Sequence, residues 1–96
     1  MFALHIEHPV HDFATWKAAF DGDPVGRRAG GVRAYRVTRS TDLDAATRVA
    51  IDLEFDDYAS AAAFRERLQR LWAGAGAQGL GIGAPAIRLE EIVDRG

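Results

Sequence analysis

In the residues RVAIDLEF at positions 48–55, large apolar side chains alternate with Arg48, Ala50, Asp52 and Glu54, and no other feature of the chain constrains the fold more. Alternation with a period of two is typical of a β-strand that buries one face. The polar residues Asp52 and Glu54 are therefore predicted to point away from the core, because successive side chains of a strand face opposite sides. The apolar positions of this strand, which are expected to face the core, are Val49, Ile51, Leu53 and Phe55.

Three further segments have the composition and alternation of strands, at residues 2–8, about 32–39 and about 86–93. The first of them is predicted to end at Pro9, because proline has no N–H to donate to a β-ladder. The sequence therefore predicts four strands.

Two helices are predicted between the strands. The first begins at Asp12, a favourable N-cap residue, and extends to about Phe20, with aromatic side chains recurring on one face. The second is capped by Asp56 or Asp57 and extends to about Ala73. The apolar stripe of the second helix consists of Ala61, Phe64, Leu68, Leu71 and Trp72.

The predicted order is β-α-β-β-α-β, which is the arrangement of a ferredoxin-like α+β fold. This arrangement places the four strands in one antiparallel sheet, with the first and third strands adjacent at its centre and both helices on one face. The chain of 96 residues has the size of one domain, taken as residues 1–96, and it contains no repeat or linker-like segment.

The sheet face that the helices leave uncovered is predicted to be polar. Arg36 and Arg88 on the outer strands could neutralise the acids at its centre. One interpretation is a solvated face, as many antiparallel sheets have. The other is a homodimer in which this face meets its copy around a twofold axis and closes the two sheets into a barrel. Hydrophobicity alone does not decide between them. The residues expected at the centre of the face are His5, Glu7, Asp52 and Glu54.

The composition excludes several classes of function. A net charge of −2, with 12 basic and 14 acidic residues, gives no reason to expect a nucleic acid or a membrane surface as a partner. The absence of cysteine excludes disulfides, thiolate metal sites and cysteine nucleophiles. No leader peptide or membrane-length apolar run is recognisable, so the expected location is the cytoplasm. Abundant arginine, alanine and glycine favour a GC-rich bacterial genome.

Three histidines, His5, His8 and His11, lie close together with Glu7 and Asp12 and have the composition of a metal site. Side chains alternate along a strand, so His5 and His8 are predicted to face opposite ways. An extended chain separates His5 from His11 by up to about 20 Å, whereas metal ligands lie about 2 Å from the ion. Only a tight reversal after the strand could bring the later residues together, and we predict no metal site.

Residues 74–79, GAGAQG, have the glycine spacing of dinucleotide-binding loops. Such loops follow a strand and precede a helix, whereas this segment follows a helix and precedes a strand, so nucleotide binding is not expected. A connecting loop or a cover for a pocket fits this position better. Arg27 and Arg28 could bind an anionic group of a substrate, although exposed surface positions are the simpler interpretation.

Aromatic side chains are expected to meet between the helices and the sheet, where a small-molecule pocket could form. Trp16, Tyr35 and Trp72 are candidates for binding a substrate there, and simple core packing is the alternative. His8 ends the first strand on the helix-facing side, where a histidine with a pKa near neutrality could act as a general base. The alternative for His8 is a structural hydrogen bond to a backbone carbonyl or a helix end.

The residues HPVHDFATWKAAFD at positions 8–21 fit the pattern H-x-V-x-D-[YF]-x-x-W-K-x-x-F-D. They resemble small dimeric α+β-barrel proteins of the antibiotic-biosynthesis-monooxygenase type. The resemblance spans nearly the whole chain, and it implies a ferredoxin-like fold and a homodimer. The other segments that carry it are RRAGGVRAYRV (27–37), VAIDLEFDDYASAAAF (49–64) and GAPAIRLEEI (83–92).

The superfamily that the chain resembles includes cofactor-free monooxygenases, polyketide cyclases, haem-degrading proteins, isomerases and members without a known reaction. Together with the predicted aromatic pocket and the isolated His8, the resemblance favours an enzyme of the monooxygenase, cyclase or isomerase type that needs no cofactor and acts on an aromatic or polyketide-like molecule, with His8 as the base. Haem degradation is not expected, because the pocket asparagine and second-helix histidine of that branch are missing here. A non-catalytic ligand-binding or structural homodimer is the alternative.

Overall fold

A computed structural model describes residues 1–10, 12–40, 48–73 and 85–96. The order of its elements is β-α-β-β-α-β, which confirms the ferredoxin-like prediction. His11, most of the predicted turn at 40–45 and the glycine segment at 74–79 lie outside the described residues. The elements are β1 (Phe2–Pro9), α1 (Phe13–Asp21), β2 (Val32–Arg39), β3 (Arg48–Phe55), α2 (Tyr58–Ala73) and β4 (Ala86–Glu91).

The four strands form one antiparallel sheet in the order β2-β3-β1-β4, so the first and third strands are central, as predicted. Leu4 lies opposite Leu53, and Ile6 lies opposite Ile51. A register shift near Ala34 marks a bulge where β2 enters the sheet. This register gathers the apolar side chains of the two central strands on one face.

The hydrophobic core lies between that face and the helices. From α2, Phe64 packs its ring against Phe55 with the ring centroids 5.5 Å apart. Trp16 is the buried residue of α1. Removing this much apolar surface from water stabilises the fold by about 25 cal/mol per Å², which makes the layer the main source of stability. The inward residues predicted for β1 and β3 are all buried: Leu4, Ile6, Val49, Ile51, Leu53 and Phe55.

Both helices begin where the sequence places a cap. The Asp12 carboxylate accepts a hydrogen bond from the backbone N–H of Thr15 at 3.2 Å. At α2, Asp57 rather than Asp56 serves as the cap, and its carboxylate accepts from the Ser60 N–H at 2.7 Å. These bonds pair N–H groups that the first turn of a helix leaves without a partner, so each capping carboxylate stabilises the start of its helix.

Candidate active site between the helices and the sheet

A cavity lies between the two helices and the helix-facing side of the sheet. A volume of about 70 Å³ inside it can hold the centres of water molecules, and the cavity opens to solvent. Its polar wall residues include His8, Asp23 and Arg27. The helix–sheet interface of the described residues therefore contains an open cavity and is not completely filled by side chains. Most of the wall is apolar and includes Ile6, Ile51, Leu53, Phe64 and Leu68.

His8 stands on this wall near the end of β1 and is 3% exposed. Its Nδ1–H donates a hydrogen bond to the backbone carbonyl of Pro9 at 3.1 Å. A carbonyl oxygen can only accept, so in the neutral ring Nδ1 carries the proton and Nε2 carries the lone pair. Burial lowers the pKa of His8 below 6.5, which keeps the ring neutral at pH 7. The ring thus makes the expected structural bond and still has a basic nitrogen.

Aromatic rings of α1 continue the wall from His8. The Trp16 ring lies 5.5 Å from the His8 ring and 5.2 Å from the Phe20 ring, on which it is stacked. Residues three and four positions apart share one face of a helix, which is why Phe13, Trp16 and Phe20 form a row. The rings of Trp16 and Phe20 line the cavity and form a strip that suits a planar ligand.

The structure brings three of the four predicted site residues together. His8, Trp16 and Trp72 all line the cavity, and Trp72, near the end of α2, is half-buried. Tyr35 lies outside the lining and is 52% exposed, although its ring meets Phe20 edge-on with the centroids 5.5 Å apart. The roles assigned to these side chains in binding and catalysis remain predictions.

Arg27 lies on the cavity wall, whereas the sequence favoured an exposed surface position for it. Its side chain is 16% exposed and lines the cavity, so the surface interpretation is wrong for Arg27 and right for its exposed neighbour Arg28. Pro24 and Gly26 are typical turn residues and signal a turn before Arg27, but they do not specify where its side chain points.

On the opposite sheet face, His5 is held between two carboxylates. Its Nδ1 lies 2.7 Å from Oδ1 of Asp52, and its Nε2 lies 2.9 Å from Oε2 of Glu7. The hydrogen bond with Asp52 is the main cause that raises the pKa of His5 above 6.5. The hydrogen bond with His5 in turn lowers the pKa of Glu7. Each acid uses a different ring nitrogen, so the cluster is an ion-pair network and its groups do not converge on one point.

Across the strands, the same face has a row of charges. The register aligns Arg36, Asp52, His5 and Arg88. Arg36 lies 3.4 Å from Asp52, which confirms one of the two predicted basic partners. Arg88 pairs instead with Glu90 on its own strand at 3.2 Å. The polar face predicted from the alternation of β1 and β3 is therefore confirmed.

Within residues 1–10, 12–40, 48–73 and 85–96, no three histidine or carboxylate side chains are grouped as metal ligands. In the same part of the chain, no helix combines the length and the apolar character needed to cross a membrane.

Comparison with known proteins gives matches in structure alone. The sequence matches no protein-family model, and no curated protein is significantly similar to it. A dimeric ferredoxin-like protein from an uncultured marine organism matches with a TM-score of 0.70 at 15% identity, covering 98% of this chain and 96% of that one. SnoaB, a cofactor-independent oxygenase from Streptomyces nogalater, matches with a TM-score of 0.67 at 15% identity, covering 98% and 94%.

The chain has the fold of these proteins. A second dimeric ferredoxin-like protein of marine origin matches with a TM-score of 0.63 at 10% identity, covering 99% of this chain and 97% of that one. The ferredoxin-like fold that the sequence resemblance implied is thereby confirmed. At these identities the similarity concerns the fold, so function has to be argued from the cavity.

Proposed function

We propose that the protein is a homodimeric, cofactor-independent enzyme that removes a proton from an aromatic or polyketide-like molecule bound between the helices and the sheet. The observation that carries this proposal is a buried, neutral histidine on the wall of a mostly apolar cavity with an aromatic strip. His8 is the catalytic residue, and Trp16 and Trp72 hold the substrate ring.

The chemistry begins with transfer of a proton from an acidic carbon or a phenol of the substrate to Nε2 of His8. The lowered pKa of His8 keeps Nε2 unprotonated before the reaction. The Nδ1–H bond to the Pro9 carbonyl fixes the ring and stabilises the imidazolium that forms. A positioned general base of this kind contributes about 10²–10⁴-fold to a rate.

The carbanion formed by this step has two fates. In an oxygenase the carbanion passes electrons to O₂ and forms a C–O bond, and the resulting peroxide takes the proton back from His8. Loss of water then breaks the O–O bond and a second C–H bond of the same carbon and leaves a carbonyl group. In a cyclase or isomerase it closes a ring or takes the proton back from His8 at another atom. The similarity in fold to a cofactor-independent oxygenase supports the first fate.

The proposed homodimer uses the polar sheet face. Both signs of charge occur there as ion pairs, so a twofold copy meets this face without net repulsion. Ala50 and Ala86 add small side chains between the charged ones, which permits a close approach of two sheets. The matched ferredoxin-like proteins are described as dimeric, which supports the same assembly here.

Binding and turnover assays on metal-free protein test the proposal. After treatment with a chelator, the protein is expected to bind and convert members of a panel of hydroxylated bicyclic and tricyclic aromatic compounds, because His8 needs no metal to accept a proton. Binding is measured as a rise in Tm, since a ligand at a hundred times its Kd stabilises the folded state by about 2.7 kcal/mol. Turnover is measured by O₂ consumption and by mass spectrometry of the products.

The outcomes separate the alternatives. Activity that disappears with the chelator and returns with a metal contradicts cofactor independence. Binding without conversion of any compound identifies a non-catalytic ligand-binding protein. No binding at all contradicts both.

A further inference from the structure

Arg27 is held over aromatic rings at the cavity. Its guanidinium carbon lies 3.9 Å from the centroid of the Phe20 ring and 4.9 Å from that of the Tyr35 ring. A planar guanidinium stacks on such rings and is attracted to their faces, which limits it to few orientations. The charge of Arg27 is thus fixed on the wall rather than free in solvent.

The Arg27 guanidinium has N–H groups that could donate hydrogen bonds to a ligand. Its Nη1 donates to the Phe20 carbonyl at 2.7 Å and lies 3.5 Å from Oδ1 of Asp23. Among the described residues, no hydrogen bond reaches Nε or Nη2, although a guanidinium has N–H groups at all three nitrogens. A fixed cation with spare, forked donors is the group that proteins use to bind carboxylates and other anionic oxygens.

A strained turn places Arg27 there. Asp23 has a φ of 55°, which is uncommon for a residue other than glycine, and Gly26 has a φ of 76°. The Asp23 carboxylate accepts a hydrogen bond from the Arg27 backbone N–H at 2.8 Å. The Arg27 carbonyl in turn accepts from the Val32 N–H at 3.0 Å. Backbone strain of this kind persists where the surroundings enforce it, and here it orients the arginine.

His8 and Arg27 line the same cavity and are linked by the rings of Trp16 and Phe20. From His8 to Trp16, from Trp16 to Phe20 and from Phe20 to the Arg27 guanidinium, the successive spacings are 5.5, 5.2 and 3.9 Å. We propose that Arg27 binds the ionised oxygen of an aromatic ligand, a carboxylate or a phenolate, whose ring lies on this strip. The inference rests on the proposed function for its site and adds the charge of the substrate to it.

The Arg27 guanidinium is expected to make the cavity favour anionic ligands over neutral ones, because covering a cation with a neutral group costs free energy. A neutral ligand places an uncharged group against the guanidinium and removes water from it without returning an anionic partner. An anionic oxygen restores charge-assisted hydrogen bonds to Nε and Nη2. Arg27 is therefore a specificity-determining residue that favours acidic aromatic molecules over their neutral analogues.

The test compares 1-naphthoate with 1-naphthamide, which has nearly the same shape without the charge. The wild-type protein is expected to bind the naphthoate at least about tenfold more tightly, as one charged hydrogen bond provides. Arg27→Gln is expected to abolish this preference while changing the naphthamide Kd by less than about twofold. Isothermal titration calorimetry measures each Kd.

Arg28→Gln is the matched control and is expected to keep the full preference, because Arg28 is exposed and does not line the cavity. Arg27→Lys keeps the charge without the fork and is expected to keep part of the preference. If Arg27→Gln does not fold, the Arg27→Lys variant and the salt dependence of the wild type decide. The naphthoate preference is expected to weaken between about 0.05 M and about 0.5 M NaCl.

The inference is overturned if the wild type binds neither probe, shows no preference between them, or shows a preference that neither salt nor the Arg27 variants reduce. Turnover does not enter this assay. An Arg27-dependent preference in a protein that converts no substrate supports the inference and contradicts the enzyme. An active enzyme without the preference does the reverse.

Discussion

The variant His8→Ala is expected to lose between about a hundredfold and about ten-thousandfold in kcat on whichever aromatic substrate the wild type converts, because no other group replaces Nε2 as the base. The Kd of the substrate is expected to change far less, since the aromatic strip of Trp16 and Phe20 remains. The pH dependence of kcat/KM provides a second test of the assignment. Because only neutral His8 accepts a proton, kcat/KM is expected to fall as the pH drops through a pKa below 6.5 and to stay level above it.

A histidine on the same strand provides the control. His5→Gln changes a residue of the same type on the opposite face of the sheet, far from the cavity wall, and is expected to keep kcat within about twofold. Melting curves and sedimentation of both variants show whether the fold and the assembly are intact. A His8→Ala protein that is folded and turns over at the wild-type rate contradicts the assignment of the base.

Ala50→Arg is expected to convert the dimer into monomers at micromolar concentration. Ala50 lies on the polar face of β3, opposite Glu7 on β1, where two sheets are proposed to meet. An arginine there adds volume and charge to the proposed contact between the two sheets, while in the monomer it lies near the Glu7 carboxylate. The dimer Kd is expected to rise at least about a hundredfold, which corresponds to about 2.7 kcal/mol. Analytical ultracentrifugation measures it.

The same substitution on a helix is the matched control. Ala63 is exposed on α2, so Ala63→Arg is expected to leave both the dimer Kd and the Tm nearly unchanged. A wild-type protein that sediments as a monomer throughout the range, or an Ala50→Arg protein that remains as dimeric as the Ala63→Arg control, rules out this face as the interface.

The sheet could be predicted from the sequence because its side-chain period is two. The alternation of residues 48–55 assigns each side chain of β3 to one of the two faces of the sheet, and the pairing with β1 then brings Asp52 to His5. The same rule puts His8 and His5 on opposite faces, which is why neighbouring histidines serve different parts of the molecule. The cap residues of both helices could also be predicted, because a capping side chain bonds a backbone N–H only two or three residues further along the chain.

The cavity wall could be predicted only in part. Arg27 comes to the cavity through a turn with two positive φ angles, and the identity of its neighbours Phe20 and Asp23 does not specify that path. Tyr35 is on the expected face, but β2 is an edge strand, so its side chain is half-exposed beyond the buried centre of the sheet. Whether two helices enclose a space depends on how their side chains fill it in three dimensions, which periodicity does not encode.

NMR of the imidazole groups tests most directly whether a neutral His8 faces an aromatic-binding cavity. A pH titration is expected to show His8 with a pKa below 6.5 and its proton on Nδ1 when neutral, while His5 titrates above 6.5. Addition of 1-naphthoate at pH 7 is expected to shift the His8 resonances and leave those of His5 in place. A His8 that is protonated at pH 7, or that does not respond to a saturating ligand, contradicts the proposed active site.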